Sequence, residues 1–353
     1  MVRRRRCAHR LSCTGAVRVM LRAFKNVVGT IAGVLLLFAG VTAVGDFLID
    51  WANPPIGQFI DTSSGRQHVL DVGPEDKPAQ PTPAIVLVHG ANSNLGDMRL
   101  ALVARLRSRN RVIAIDRPGH GWSERAGGAA DAAPRRQAAV VREVLSKLGV
   151  TRPVLLGHSW AGALAAAYAL DYPGELHGLV LLAPATHPWA TGVPWHFGLA
   201  GTPWLGPLFA RTLAQPLGYL MLDRFVGPAF APQGAPPDYV ERASISLALR
   251  PATVMANGED LNRLEAFVAA QATRYELIKT RTVVITGTAD GIVSPRIHAR
   301  AIAAQIPAAQ LVVLQGIGHM PHHADTARVV AAIEALAAAD QDAAAAPRAT
   351  HRP

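Results

Sequence analysis

The stretch Val154-Leu155-Leu156-Gly157-His158-Ser159-Trp160-Ala161-Gly162 begins as an unbroken apolar run and ends in a serine set among small residues, with an Ala-rich segment behind it. This is the pattern of a buried strand turning sharply into a helix. A serine at the tip of such a turn takes a strained backbone conformation, and large side chains two residues to either side would collide with it. The usual spacing is Gly-x-Ser-x-Gly; here Ala161 holds the last place and Gly162 follows one position late. Alone, the pattern is equally that of a Gly-Ser turn before a helix, so the weight falls on what the rest of the chain supplies.

A serine nucleophile needs a base, an acid to orient that base, and donors for an oxyanion, and the order Ser, acid, His is the one that goes with a strand-to-helix elbow. In Thr282-Val283-Val284-Ile285-Thr286-Gly287-Thr288-Ala289-Asp290 a β-branched run ends in a Gly-containing loop carrying Asp290. In Leu311-Val312-Val313-Leu314-Gln315-Gly316-Ile317-Gly318-His319 another apolar run ends in a Gly-flanked loop carrying His319. Both candidates fall just past the C-terminal end of a strand, where parallel sheets keep their ligands. A third run, Ala84-Ile85-Val86-Leu87-Val88, leads into His89-Gly90-Ala91, and the backbone N–H groups of Ala91 and Trp160 are the candidate oxyanion donors. His89 competes with His319 as base, but its place before Gly90 suggests that it shapes the loop.

With these residues in view, the chain resembles an α/β-hydrolase-fold serine hydrolase, esterase- or lipase-like and with a cap. The resemblance covers roughly residues 56 to 335 and rests on His89-Gly90, on Asp116-Arg117-Pro118-Gly119-His120-Gly121-Trp122-Ser123, on the Ser159 stretch, and on Asp290 and His319. It implies a mostly parallel eight-stranded sheet with helices on both faces. It also implies Ser159, Asp290 and His319 as catalytic residues, with Asp116 orienting a loop. Relatives with an Asp nucleophile are epoxide hydrolases or haloalkane dehalogenases, and Ser159 argues against both. The implied reaction is cleavage of a carboxylic ester or thioester bearing a hydrophobic group, through an acyl-enzyme. Carbon–carbon bond hydrolysis, acyl transfer or cofactor-free peroxidation on the same site is the alternative within enzymes, and a catalytically silent binding or scaffold protein is the alternative outside them.

Hydrophobic patterning agrees with that layout. A hairpin is expected around Ser63-Ser64-Gly65-Arg66, then strands near 84–88, 111–115, 153–157, 178–183, 281–286 and 310–314, alternating with helices near 95–109, 134–148, 161–171, 296–306 and 323–338. The core is thus expected over 56–186 and 276–338, with a cap over 187–275. That insertion carries Trp189, Trp195, Phe197, Trp204, Phe209, Tyr219, Phe225, Phe230 and Tyr239. As a set they predict an apolar roof over Ser159 and a small hydrophobic ester-like substrate.

The formal net charge of the 353-residue chain is +10. Arg3, Arg4, Arg5, Arg6, Arg10, Arg18, Arg22 and Lys25 supply most of it, with no acid before Asp46, so nucleic acid is not the implied partner. After this basic segment, 1–26, comes the uncharged run Val27 to Gly45. At 1.5 Å per residue it nearly spans the roughly 30 Å hydrocarbon core of a bilayer. A transmembrane signal anchor over 27–49 would keep the arginines in the cytoplasm and the rest on the periplasmic or extracellular side. A signal peptide cleaved after Ala43, with secretion of the remainder, is the competing reading. Met20 is an alternative start with a shorter basic flank.

Cys7 and Cys13 both precede the apolar run, so the catalytic region has no disulfide to form. No Cys-x-x-Cys, His-Glu-x-x-His or carboxylate cluster suggests a metal and no Gly-x-Gly-x-x-Gly follows a strand, so neither metal nor cofactor is expected. The tail 339–353 is expected to be disordered, and the oligomeric state is not legible.

Overall fold

The computed structural model describes residues 8–74, 82–307 and 309–338. The tail 339–353 and the first seven residues of the basic segment lie outside the described residues. Eight strands form one sheet: β1 (Gln58–Thr62), β2 (Gly65–Val72), β3 (Ile85–Val88), β4 (Val112–Ile115), β5 (Val154–His158), β6 (Gly178–Leu182), β7 (Thr282–Gly287) and β8 (Ala309–Leu314). Their spatial order is β1-β2-β4-β3-β5-β6-β7-β8. The opening hairpin turns at Ser63-Ser64, β2 runs antiparallel to β4, and every pairing from β4 to β8 is parallel.

The central strands are apolar on both faces because both faces are covered. Val86 and Val88 of β3 join one core with the helices Pro134–Lys147 and Trp160–Asp171, while Ile85 and Leu87 join another with the segments 95–106 and Thr326–Ala338. That division is the period of two of a strand, read directly in side-chain direction. The expected helix at 323–338 is divided: Pro321–Ala324 forms a single turn, and the longer helix starts at Thr326.

Between β6 and β7 the chain leaves the sheet and returns through short helices, ending in the 22-residue helix Pro251–Ala272. Pro251 suits its first position, where a missing N–H is no loss. Leu264 and Val268 of this helix enter the core. The aromatic residues of the insertion do not all form a roof. Phe230 and Tyr239 are buried, but Trp195, Trp204, Tyr219 and Phe225 face outward, exposed by 73, 89, 61 and 49%. Composition predicted their apolar character and not their direction, because short Pro- and Gly-broken helices have no long period to read.

The N-terminal helix runs unbroken from Ala8 to Ala52, and Ala16–Ala52 is long and apolar enough, with a mean hydropathy of 2.4, to cross a membrane. Its C-terminal end lies against the insertion. Thr42 Oγ1 donates to the carbonyl of Thr212 at 3.3 Å, Ile49 packs with Leu247 and Leu249, and Asp50 pairs with Arg250 at 3.0 Å.

Candidate active site

Ser159 stands between β5 and the helix beginning at Trp160, with φ 52° and ψ −116°. A side chain in this region costs on the order of 1–3 kcal/mol, so its surroundings must hold it there. They do so through the backbone: Ser159 N donates to Leu182 O at 2.9 Å, and Gly162 N and Ala185 N donate to Ser159 O at 2.9 and 3.0 Å. A Cβ on Gly157 would lie 2.2 Å from Ala161 O, and one on Gly162 would lie 2.4 Å from the Cβ of Pro184. The glycines of the motif are therefore places where backbones touch, while position 161 has room for the methyl group that it carries.

Asp290 and His319 sit in the loops that follow β7 and β8, and the sheet order brings both to Ser159. Ile292 N and Val293 N donate to Asp290 Oδ1 at 2.9 and 2.8 Å, which fixes the carboxylate. Its other oxygen is 2.8 Å from His319 Nδ1, and His319 Nε2 is 2.9 Å from Ser159 Oγ. An ionised carboxylate only accepts, so Nδ1 carries the imidazole proton and the Nε2 lone pair faces the hydroxyl. All three residues are buried.

The loop after β3 is pressed against the serine: a Cβ on Gly90 would lie 3.0 Å from that of Ser159. Ala91 follows, then Asn92 with φ 53°. Asn92 N donates to Asn257 Oδ1 at 3.0 Å and Asn257 Nδ2 donates to Asn92 Oδ1 at 2.5 Å, so the helix Pro251–Ala272 fixes this loop. Trp160 is the first residue of its helix, where an N–H has no helical carbonyl to bind. Both N–H groups named from the sequence thus belong to segments that touch Ser159.

His89 and Asp116 act on loops. His89 Nδ1 donates to Gly90 O at 2.8 Å and its Nε2 accepts from Arg117 N at 3.0 Å, a neutral tautomer with both nitrogens engaged. Burial, aided by the Arg117 charge, pushes its pKa down to about 4. Asp116 accepts from Leu95 N, Trp122 N and His68 Nδ1 at 2.6, 2.9 and 2.7 Å, tying β2 to the segments at Leu95 and Trp122. Arg117, fully buried, reaches Asp260 at 2.6 Å and lies 4.2 Å over the ring of Trp160.

Two groups around the site were not read from the sequence. His158 Nε2 donates to the carbonyl of His319 at 3.1 Å, and its ring lies between those of His319 and His322, at 5.1 and 4.6 Å. Burial and the His322 and His319 rings hold His158 well below the usual range, so it is neutral. Beyond it, His322 Nε2, His323 Nε2 and the Tyr239 hydroxyl donate to Asp97 at 3.0, 2.7 and 2.9 Å. Burial opposes ionisation of Asp97, but its histidine partners hold the carboxyl well below 3.8. The ligand atoms of Asp97, His322 and His323 lie within 4.8 Å of one another, a size that would admit a metal ion. Each facing nitrogen is already satisfied by the carboxylate. The signal for this cluster was the His-x-x-His-His spacing from His319, which places the second and third histidines on the single turn after the base.

The alpha/beta hydrolase fold family model matches residues 83–326, and the chain belongs to that family. An uncharacterized protein of Mycobacterium tuberculosis is 30% identical over 268 residues, covering 71% of this chain and 74% of the relative. Among solved structures, the meta-cleavage product hydrolase of Pseudomonas fluorescens is similar with a TM-score of 0.64, at 18% identity over 80% of this chain and 98% of that one. The esterase of Exiguobacterium antarcticum is similar with a TM-score of 0.63, at 19% identity over 80% of this chain and all of that one, 100%.

Proposed function

We propose that the chain is a membrane-anchored serine hydrolase that cleaves a carboxylic ester or thioester with a hydrophobic acyl or alkyl group. The observation that carries this reading is the unbroken line Asp290–His319–Ser159, at 2.8 and 2.9 Å, ending on a hydroxyl held at the tip of a strained turn. Ser159 Oγ attacks the carbonyl carbon while His319 Nε2 takes its proton. Asp290 keeps Nδ1 protonated and stabilises the imidazolium that forms. The N–H groups of Ala91 and Trp160 receive the oxyanion, each contributing about 2.7–4 kcal/mol at a comparable site. His319 then returns the proton to the leaving oxygen or sulfur, and a water molecule, activated in the same way, releases the acid from Ser159.

The N-terminal helix supports a retained anchor over 27–49, with the basic flank on the cytoplasmic side and the catalytic domain exported. Membership of the alpha/beta hydrolase fold family supports a hydrolytic reaction. A panel of p-nitrophenyl and thio-esters of increasing acyl length, given to full-length protein in detergent, tests the substrate class. Turnover that rises with acyl length before levelling supports it, and folded protein inert on every ester contradicts it. Resistance of the protein to extraction by alkaline carbonate tests the anchor.

A further inference from the structure

We propose that the outward apolar face of the cap lies in the outer leaflet of the membrane, and that the groove between the cap and the N-terminal helix takes up a lipid acyl chain. The inference rests on the anchored-hydrolase reading.

The depth of the cap follows from the helix that it touches. A bilayer core of roughly 30 Å takes about 20 helical residues, so a span entered at Val27 is left near residue 46. Thr42 and Gly45 then lie in the outer leaflet. Thr42 is bonded to Thr212, and a Cβ on Gly45 would be 2.2 Å from Gln215 Oε1. Whatever packs directly on those two residues shares their depth. The ion pair of Asp50 with Arg250 comes one to two turns further on, where headgroups begin.

The surface chemistry of the cap agrees with that depth. From Pro188 to Leu222 the sequence has one permanently charged side chain, Arg211. In the same segment Trp195, Trp204, Leu205, Leu217, Tyr219 and Leu220 are exposed. Exposing so many large apolar groups of one segment to water would be costly, and such a concentration marks a contact surface. Tyr219 of this segment lines one groove with Leu37, Val44 and Leu48 of the N-terminal helix, all of them exposed. That groove, of about 970 Å³, is walled by Leu37, Val41 and Leu48 on one side and by Pro216 and Tyr219 on the other. An acyl chain is the occupant that matches apolar walls opening at acyl-chain depth.

Full-length protein in phosphatidylcholine vesicles whose acyl chains carry bromine in the outer half tests the placement through tryptophan quenching. Wild type should be quenched, and Trp195→Phe with Trp204→Phe should remove a large share of the quenched emission. If these two contribute only unquenched emission, the cap is outside the bilayer and the proposal is overturned. Shielding of both by a cross-linkable dimer would equally overturn it, in favour of a second copy on this face. A phosphatidylcholine with a diazirine on one acyl chain should label the peptides 36–53 and 215–219, and label on the N-terminal helix with none on 215–219 would remove lipid from the groove. These readouts need no turnover. Quenching and labelling without hydrolysis of any ester would sink the hydrolase reading alone, while hydrolysis without them would sink this one alone.

Discussion

Gln233 of the insertion and Gly318, next to the candidate base, are joined: Gly318 N donates to Gln233 Oε1 at 3.0 Å. The other end of the same amide, Nε2, donates to Gly316 O at 2.7 Å. A Cβ on Gly318 would lie 1.9 Å from Ala231 O, so the two backbones are in contact. The insertion therefore holds the loop that aims His319.

Gln233→Ala removes both bonds, about 1 kcal/mol each, and should lower kcat roughly tenfold on a small soluble ester with KM little changed. Gln233→Glu keeps the acceptor for Gly318 N and should fall between. Gly318→Ala must push the loop away from the cap and should cost about 10²-fold or more, since misplacement by an ångström has that effect. Steady-state kinetics with a melting curve for each variant checks the series, and wild-type kcat in Gly318→Ala would contradict the coupling.

Asp290→Asn should leave the fold intact, because its remaining oxygen still accepts from Ile292 N and Val293 N. The amide favours the wrong imidazole tautomer, and such a change costs on the order of 10⁴ in kcat. Undiminished turnover in this variant would move the acid elsewhere.

Acid should weaken the fold through its buried histidines. His89 has a pKa of about 4 when folded against 6.5 ordinarily, so below pH 6.5 the unfolded chain binds a proton that the folded chain refuses. Stability is full above about pH 6.5, falls by about 1.4 kcal/mol per pH unit as pH drops toward 4, and levels off below, on the order of 3 kcal/mol for His89 alone. His120 and His158, both held well below 6.5 by burial, add in the same direction. Denaturant unfolding between pH 7 and 4.5 should show the fall, and His89→Gln should reduce the slope by about one proton. An unchanged slope would mean that His89 titrates normally.

The strand ends that carry Ser159, Asp290 and His319 were legible because each is a local pattern, a β-branched or aliphatic run stopped by a Gly-containing loop. The sheet and its two-sided helical cover follow from the same runs. Contacts set by the path of the chain were not legible. Asp97 meets His322 across 225 residues, and Gln233 meets Gly318 across 85; the His-x-x-His-His spacing marks the histidines, but nothing near Asp97 or Gln233 announces the partner. The outward direction of Trp195 and Trp204 escaped for a related reason: composition records that a segment is apolar, and only its packing decides what it faces.

The central claim is that Ser159 is the nucleophile, and a covalent label tests it most directly. Full-length protein treated with a fluorophosphonate should gain the mass of one phosphonyl group on the peptide carrying Ser159. The adduct should be lost in Ser159→Ala together with ester turnover, while the melting temperature stays near that of wild type because one buried hydroxyl is all that is removed. Folded wild-type protein that hydrolyses esters yet takes no label at Ser159, or a Ser159→Ala variant that keeps its turnover, would contradict it.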